Sequence, residues 1–323
     1  MMKLSDLKWL DDIFSKINFN TIPHGIIISG PEGLGKQLLA QEISKKLLCN
    51  INSDSDPNDL ILSNSHPDYF YLNNNKVLLH HITYRKNKWD EEKGQRNVND
   101  FLSMTPSISK NKVAVINNGQ TMNDESQNAL LKSLEEPAKN TYIIIITNRP
   151  KSLLNTIYSR CQVINIPPLS TSVLNEWLIS KGISDVNATD FPSFISPLKI
   201  LNDLESDQHF NFKEFIKILS DYLSNKSDIH LVLKLIIAID INLIMKINYL
   251  IEFLKIILKS KLLSEDLSGI YKKFNDSSFN NLKISNLIND LNGLRYDYFK
   301  VPQINETHVL NYFLSEVKNS IKI

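Results

Sequence analysis

The sequence predicts an α/β domain on a parallel sheet, followed by a small helical lid and an all-α C-terminal domain, and three observations carry that reading. Short β-branched runs, Ile26-Ile27-Ile28, Val113-Ala114-Val115-Ile116 and Tyr142 to Thr147, alternate with stretches whose apolar residues recur at helical spacing. Four of the 9 glycines, Gly25, Gly30, Gly33 and Gly35, crowd around the first run, where a strand would turn into a helix. Beyond residue 205 the composition shifts to Ile, Leu, Lys and Asn in helical stripes such as Leu250, Phe253, Leu254, Ile257 and Leu258.

Each element follows in order. Leu7, Leu10, Ile13, Phe14 and Ile17 form one face of an amphipathic helix between Leu4 and Phe19. Ile26 to Ile28 make a buried strand, and helical periodicity resumes from Leu38 to Leu48. Residues 50 to 65, rich in Asn, Ser and Asp with Pro57, read as an irregular insertion whose one strong apolar stretch is Leu60-Ile61-Leu62. Strand, helix and strand then repeat through Val113 to Ile116, the stripe Ala129, Leu130, Leu131 and Leu134, and Tyr142 to Thr147, which implies a largely parallel sheet. Val163 to Ile166 adds a further strand before Pro167-Pro168, which ends the domain. A compact stretch of helices is expected from Ser170 to Leu204, with Trp177, Leu178, Phe194 and Leu198 for packing. The expected division is 1–166, an α/β domain; 167–205, a helical lid; and 206–323, an all-helical domain.

Composition narrows the function classes. The chain has 323 residues, more than one core supports at roughly 250 to 300, and 42% of them are apolar, which excludes a disordered or collagen-like chain. A net charge of +1 excludes a uniformly basic nucleic-acid coat. Acidic residues follow Met1 too early for a signal peptide, and charges at Lys234, Asp240, Lys246, Glu252 and Lys255 break the apolar stretches too often for a membrane span, so a cytoplasmic protein is expected. Cys49 and Cys161 are too few for a disulfide framework.

Gly30-Pro31-Glu32-Gly33-Leu34-Gly35-Lys36 matches G-x-x-x-x-G-K between a strand and a helix, where backbone N–H groups and a helix N-terminus can cradle phosphates. Gly30, Gly33, Gly35 and Lys36 are therefore candidate ATP or ADP contacts; the same segment also reads as a tight turn serving the fold alone. The next residue is Gln37, in place of the Ser or Thr hydroxyl that would ligate Mg²⁺. Asn117 and Asn118 end the strand where an acidic pair would hold metal and activate water, and a carboxamide does neither. Binding of nucleotide stays possible; hydrolysis is not expected.

His66, His80 and His81 are nominal metal ligands, more often surface residues when no cysteine accompanies them. Cys161 reads as a small buried hydrophobe. Tyr84-Arg85-Lys86-Asn87-Lys88-Trp89 interleaves aromatics with cations as single-strand binders do, but Asp90-Glu91-Glu92 follows at once, the mark of a solvated loop.

The segments Val113-Ala-Val-Ile-Asn-Asn-Gly-Gln-Thr-Met, Gln127-Asn-Ala-Leu-Leu-Lys-Ser-Leu-Glu-Glu-Pro137 and Ser159-Arg160-Cys161 resemble, in order and spacing, the bacterial clamp-loader ATPase-like (AAA+) subunits of DNA polymerase III. Leu47-Leu48-Cys49, His66-Pro67-Asp68, Arg96 to Leu102 and Ser196-Pro197 add to the likeness, which covers the first 200 residues. The pattern is similar to the branch of that family with a degraded nucleotide site and an intact Ser-Arg-Cys. The resemblance implies an AAA+ domain, a lid and a collar through which subunits form a ring. It implies that Arg160 acts as an arginine finger in a neighbour's ATP site, a role whose chemistry suits a planar, permanently charged guanidinium. It also implies a non-hydrolysing accessory subunit, partnered by motor (gamma/tau) and delta subunits, and by a sliding clamp and primer-template DNA through the complex. The runner-up is an ATP-hydrolysing motor subunit. Many relatives bind zinc through four cysteines after Leu-Leu-Cys; only Cys49 stands there, so no zinc is expected.

Overall fold

The molecule is described by a computed structural model over residues 3–49, 58–83, 97–205, 210–298 and 304–322. It forms two compact units, Met1–Leu169 and Ser170–Ile323.

The first unit is a five-stranded sheet of β1 (Gly25–Ser29), β2 (Tyr69–Leu72), β3 (Lys112–Ile116), β4 (Thr141–Thr147) and β5 (Gln162–Asn165), in the order β2-β3-β4-β1-β5 with every pairing parallel. Helix α1 (Lys8–Ser15) precedes β1, and the crossovers that parallel strands need carry α2 (Lys36–Leu48), α3 (Asn58–Leu62), α4 (Leu79–Ile82), α5 (Val98–Ser103), α6 (Asp124–Glu135) and α7 (Asn155–Tyr158). The β-branched runs are buried on both faces along β1, β3 and β4. One face packs Ile27, Ala114, Ile116, Ile143 and Ile145 against Phe101, Leu102, Leu130 and Leu134 of α5 and α6. Lys112, also buried, lays its ammonium 4.3 Å from the Phe101 ring centroid. β5 is an edge strand with Val163 exposed, and Ile166 just after it donates its N–H to the Ser29 carbonyl at 2.7 Å.

Three expectations are corrected here. The first helix is broken: a 3-10 turn, Leu4–Asp6, precedes α1, because Leu7 leaves helical geometry at the junction. Helix α1 also stops at Ser15 rather than Phe19, ahead of a turn in which the Asn18 side chain accepts the Asn20 N–H at 3.0 Å. Leu60 to Leu62, within the stretch read as irregular, lie in α3.

The second unit contains α8 (Thr171–Ser180), α9 (Pro197–Glu205), α10 (Phe210–Leu223), α11 (Ile229–Ala238), α12 (Leu243–Leu263), α13 (Asn281–Asp297) and α14 (Glu306–Ser320). Phe253, Leu254 and Ile257 of α12 sit in a core shared with α10, α11, α13 and α14. The buried Lys246 of α12 pairs with Glu306 of α14 at 2.8 Å and donates to the Ile237 carbonyl at 3.2 Å. The unit is not wholly helical: β6 (Ser278–Phe279) and β7 (Ile321–Lys322) form an antiparallel ribbon that buries Ile321 opposite Phe279. Two-residue strands have no periodicity for a sequence reading to find.

Candidate functional site

The loop from Gly30 to Lys36 leaves the carboxyl end of β1 and enters α2, and its shape is set by close neighbours. A methyl group on Gly30 would be driven into the carbonyl oxygen of Ile166 and come within 3.1 Å of the Ile166 Cβ. Gly35, at φ 84°, caps α2 in the left-handed region, and a Cβ there would lie 2.7 Å from Leu7 and 2.8 Å from Leu10. The Trp9 indole donates to the Leu34 carbonyl at 3.1 Å, so α1 braces the loop from outside.

Lys36 is buried, and its ammonium turns back into the loop, donating to the Gly30 carbonyl at 2.7 Å and to the Pro31 carbonyl. Burial, only partly opposed by the nearby Glu32, pushes its pKa down to about 8. The cation predicted to meet phosphate is thus already satisfied by backbone oxygens. Gln37 is exposed one residue on. Backbone N–H groups at the start of α2 can still donate to a phosphate, provided Lys36 leaves those carbonyls.

The tip of β3 is equally self-contained. Asn117 donates its side-chain N–H to the Asn73 carbonyl oxygen of the side chain at 2.8 Å, and its backbone N–H to the Leu72 carbonyl at 2.9 Å. Asn118 sits at φ 55° and donates to the Asn74 carbonyl at 3.1 Å. Both carboxamides tie the ends of β2 and β3 together, an arrangement of neutral groups with no acid for a metal or a proton. Sequence reading passed over the end of β4, which lies beside the loop: Thr147 accepts the Gly30 N–H at 3.3 Å, and the Asn148 N–H is received by Gln120 at 3.1 Å. The available signal was a buried β-branched strand ending in a polar pair, where ligands of parallel sheets gather.

Arg160 belongs to the other end of the sheet. It precedes β5, level with Gly25, where a Cβ would lie 3.1 Å from the Arg160 carbonyl and 2.7 Å from the Cys161 sulfur. Since β1 and β5 run parallel, Lys36 and Arg160 are separated by the length of a strand, roughly 15 Å at about 3.3 Å per residue. The Arg160 guanidinium lies at the surface. It is about a third exposed, yet engaged: Nη2 meets the Glu135 carboxylate at 2.6 Å, while Nη1 donates to the Thr156 carbonyl at 2.7 Å and the Ser159 hydroxyl at 3.1 Å. An intrachain ion pair and surface exposure therefore coexist. Cys161 packs against the sheet core, and burial pushes its thiol up to about 11, so it is protonated and unreactive at neutral pH.

His66 has a structural partner rather than a metal-like setting. Its Nδ1 accepts the Asp68 N–H at 3.1 Å, and its Nε2 lies 3.3 Å from the Ser109 hydroxyl. The buried Asp68 carboxylate accepts three successive backbone N–H groups, from Ser107, Ile108 and Ser109, at 2.6, 2.9 and 2.8 Å. Burial raises the Asp68 pKa, but those donors and the charge of Lys112 outweigh it and hold the carboxyl below its ordinary value. The His80 and His81 rings lie 4.1 Å apart on α4, tilted by 59°, with His81 bonded to Asn74 at 2.9 Å. Cys49 is exposed. Among the described residues no three His, Cys, Asp or Glu side chains gather as a metal site, and no helix is long and apolar enough to cross a membrane. The basic stretch Tyr84 to Trp89 lies outside the described residues.

The first unit is thus a parallel α/β domain with a glycine-rich loop after its first strand and an arginine at the opposite end of the sheet, followed in the chain by a mostly helical second unit. Residues 7–170 match the family described as DNA polymerase III, delta subunit, and the chain belongs to that family. It is 31% identical over 164 residues to DNA polymerase III subunit delta' of Haemophilus influenzae, covering 49% of this chain and 47% of that protein. The chain thus spans about half the length of that relative. The subunit delta' of Buchnera aphidicola subsp. Schizaphis graminum is 28% identical across 89% of this chain and 88% of its own. Among solved structures, a gamma subunit-related DNA polymerase III protein of Thermotoga maritima aligns over 98% of this chain and 99% of its own, at 16% identity and a TM-score of 0.44.

Proposed function

We propose that the chain is a non-hydrolysing, delta-prime-type subunit of a DNA polymerase III clamp loader, which supports a neighbouring subunit's ATPase in trans while a sliding clamp is loaded on primer-template DNA. The observation that carries this reading is the separation of its two cations. Arg160 stands a strand's length from the chain's own glycine-rich loop, so it cannot complete a site there, whereas a surface position at the sheet edge suits a neighbour's nucleotide. Lys36 turned into backbone carbonyls, Gln37 in place of a hydroxyl, and Asn117 and Asn118 committed to the β2 turn argue against hydrolysis in cis. The partners would be motor (gamma/tau) and delta subunits in the cytoplasm, with 167–205 as lid and 206–323 as ring-forming collar; clamp and DNA would be met through the complex. Weak ATP or ADP binding at Gly30, Gly33, Gly35 and Lys36 is compatible with this, and zinc is not required.

Phosphate release by the purified chain with excess Mg²⁺ should not exceed that of Lys36→Ala. Turnover of roughly 1 s⁻¹ that Lys36→Ala abolishes would instead assign the chain to the motor subunits.

A further inference from the structure

We propose that Glu135 is a positioning residue for Arg160, holding the guanidinium in a parked state that a neighbour's phosphate must displace; this rests on the trans role of Arg160 given above. Three contacts immobilise the guanidinium, and they divide its two ends: Thr156 and Ser159 hold Nη1, while Glu135 takes Nη2. The carboxylate accepts from the same planar fork that a phosphoryl oxygen would, so the two anions compete for one group of donors.

The placement of Glu135 is not accounted for by its own helix. It is the last residue of α6, with Glu136 beside it, and carboxylates at a helix C-terminus face the negative end of the dipole. Lys132 is the basic residue of that last turn. Glu135 gains from Arg160 what α6 denies it, and Arg160 gains an anchor that spans from α6 to the loop before β5. The pair is also weak enough to open, because Glu135 is about half exposed and Arg160 a third, and exposed pairs are held only modestly. A latch of that strength changes the availability of the arginine by about twofold to fivefold, a range that tunes a trans site without locking it.

The test has two arms on Glu135→Gln, which keeps the shape of the side chain and removes its charge. In the isolated full chain, modification of Arg160 by phenylglyoxal, followed by peptide mass mapping, should accelerate by about twofold to fivefold with an unchanged melting temperature. In the reconstituted complex, the same variant should lower KM for ATP by a similar factor with kcat preserved, and should add nothing when combined with Arg160→Ala. Unchanged Arg160 reactivity would show that Glu135 does not hold it. Faster modification without a change in KM, in a complex that Arg160→Ala slows, would make the pair purely structural and overturn the proposal. A complex whose ATPase ignores Arg160→Ala would sink the trans role itself, and the modification arm would still report whether the pair exists.

Discussion

The two ends of the parallel sheet treat a cation in opposite ways. At the carboxyl end Lys36 is buried, stripped of water and satisfied by carbonyls of its own loop. At the amino end Arg160 stays at the surface, held by a side-chain carboxylate that is itself half in water. Freeing Lys36 leaves a buried cation and two loop carbonyls without partners, whereas a surface pair opens at little cost. The difference separates a site that has become part of the fold from one that remains able to act on something else.

That contrast can be broken most severely at the loop. Gly30→Ala should cost about 3 kcal/mol or more, because the new methyl meets the Ile166 backbone rather than a side chain that could swing away. Thermal unfolding should show the drop, and a melting temperature equal to wild type would mean that the loop is not tied to the end of β5.

A titration of Lys36 sharpens the comparison. Its pKa is about 8 when folded against 10.5 when exposed, so between those values the unfolded chain binds the extra proton and stability rises with pH. Below pH 8 the cost of burying the charge is fully present; above 10.5 it has gone. The stability of wild type relative to Lys36→Met should therefore climb by about 3 kcal/mol across that window, read from urea unfolding at each pH. The buried tyrosines titrate equally in both proteins and cancel from the difference. A flat difference would place the ammonium in water.

The smallest effect is expected at the surface. Arg160→Ala should change the stability of the isolated chain by less than about 1 kcal/mol, a shift of a few degrees at most, because the lost pair is exposed. A larger loss would move Arg160 into the same class as Lys36.

Much of the first unit was legible because burial on both faces leaves a continuous β-branched run, as in Ile26 to Ile28 and Tyr142 to Thr147. β2 escaped notice: Tyr69 to Leu72 is four residues long, buried at its two ends and half-buried between, with no alternation to mark it. The glycines and Lys36 announced the loop, but only three-dimensional packing reveals that the ammonium points inward. Arg160 was identifiable from Ser159-Arg160-Cys161, while its partner Glu135 was not, since nothing in a linear text joins the end of one helix to a turn two elements later. The ribbon at Ile321 was beyond reach for the same reason.

The clasp formed by Asp68 has a consequence for how the protein tolerates change. Standing just ahead of β2 and gripping Ser107 to Ser109 just ahead of β3, it fixes where the long excursion between the two strands returns to the sheet, while Asn117 and Asn118 tie its departure at Asn73 and Asn74. Once the ends are fixed, lengthening such an excursion is cheap: each doubling adds only about 0.6 kcal/mol of closure entropy.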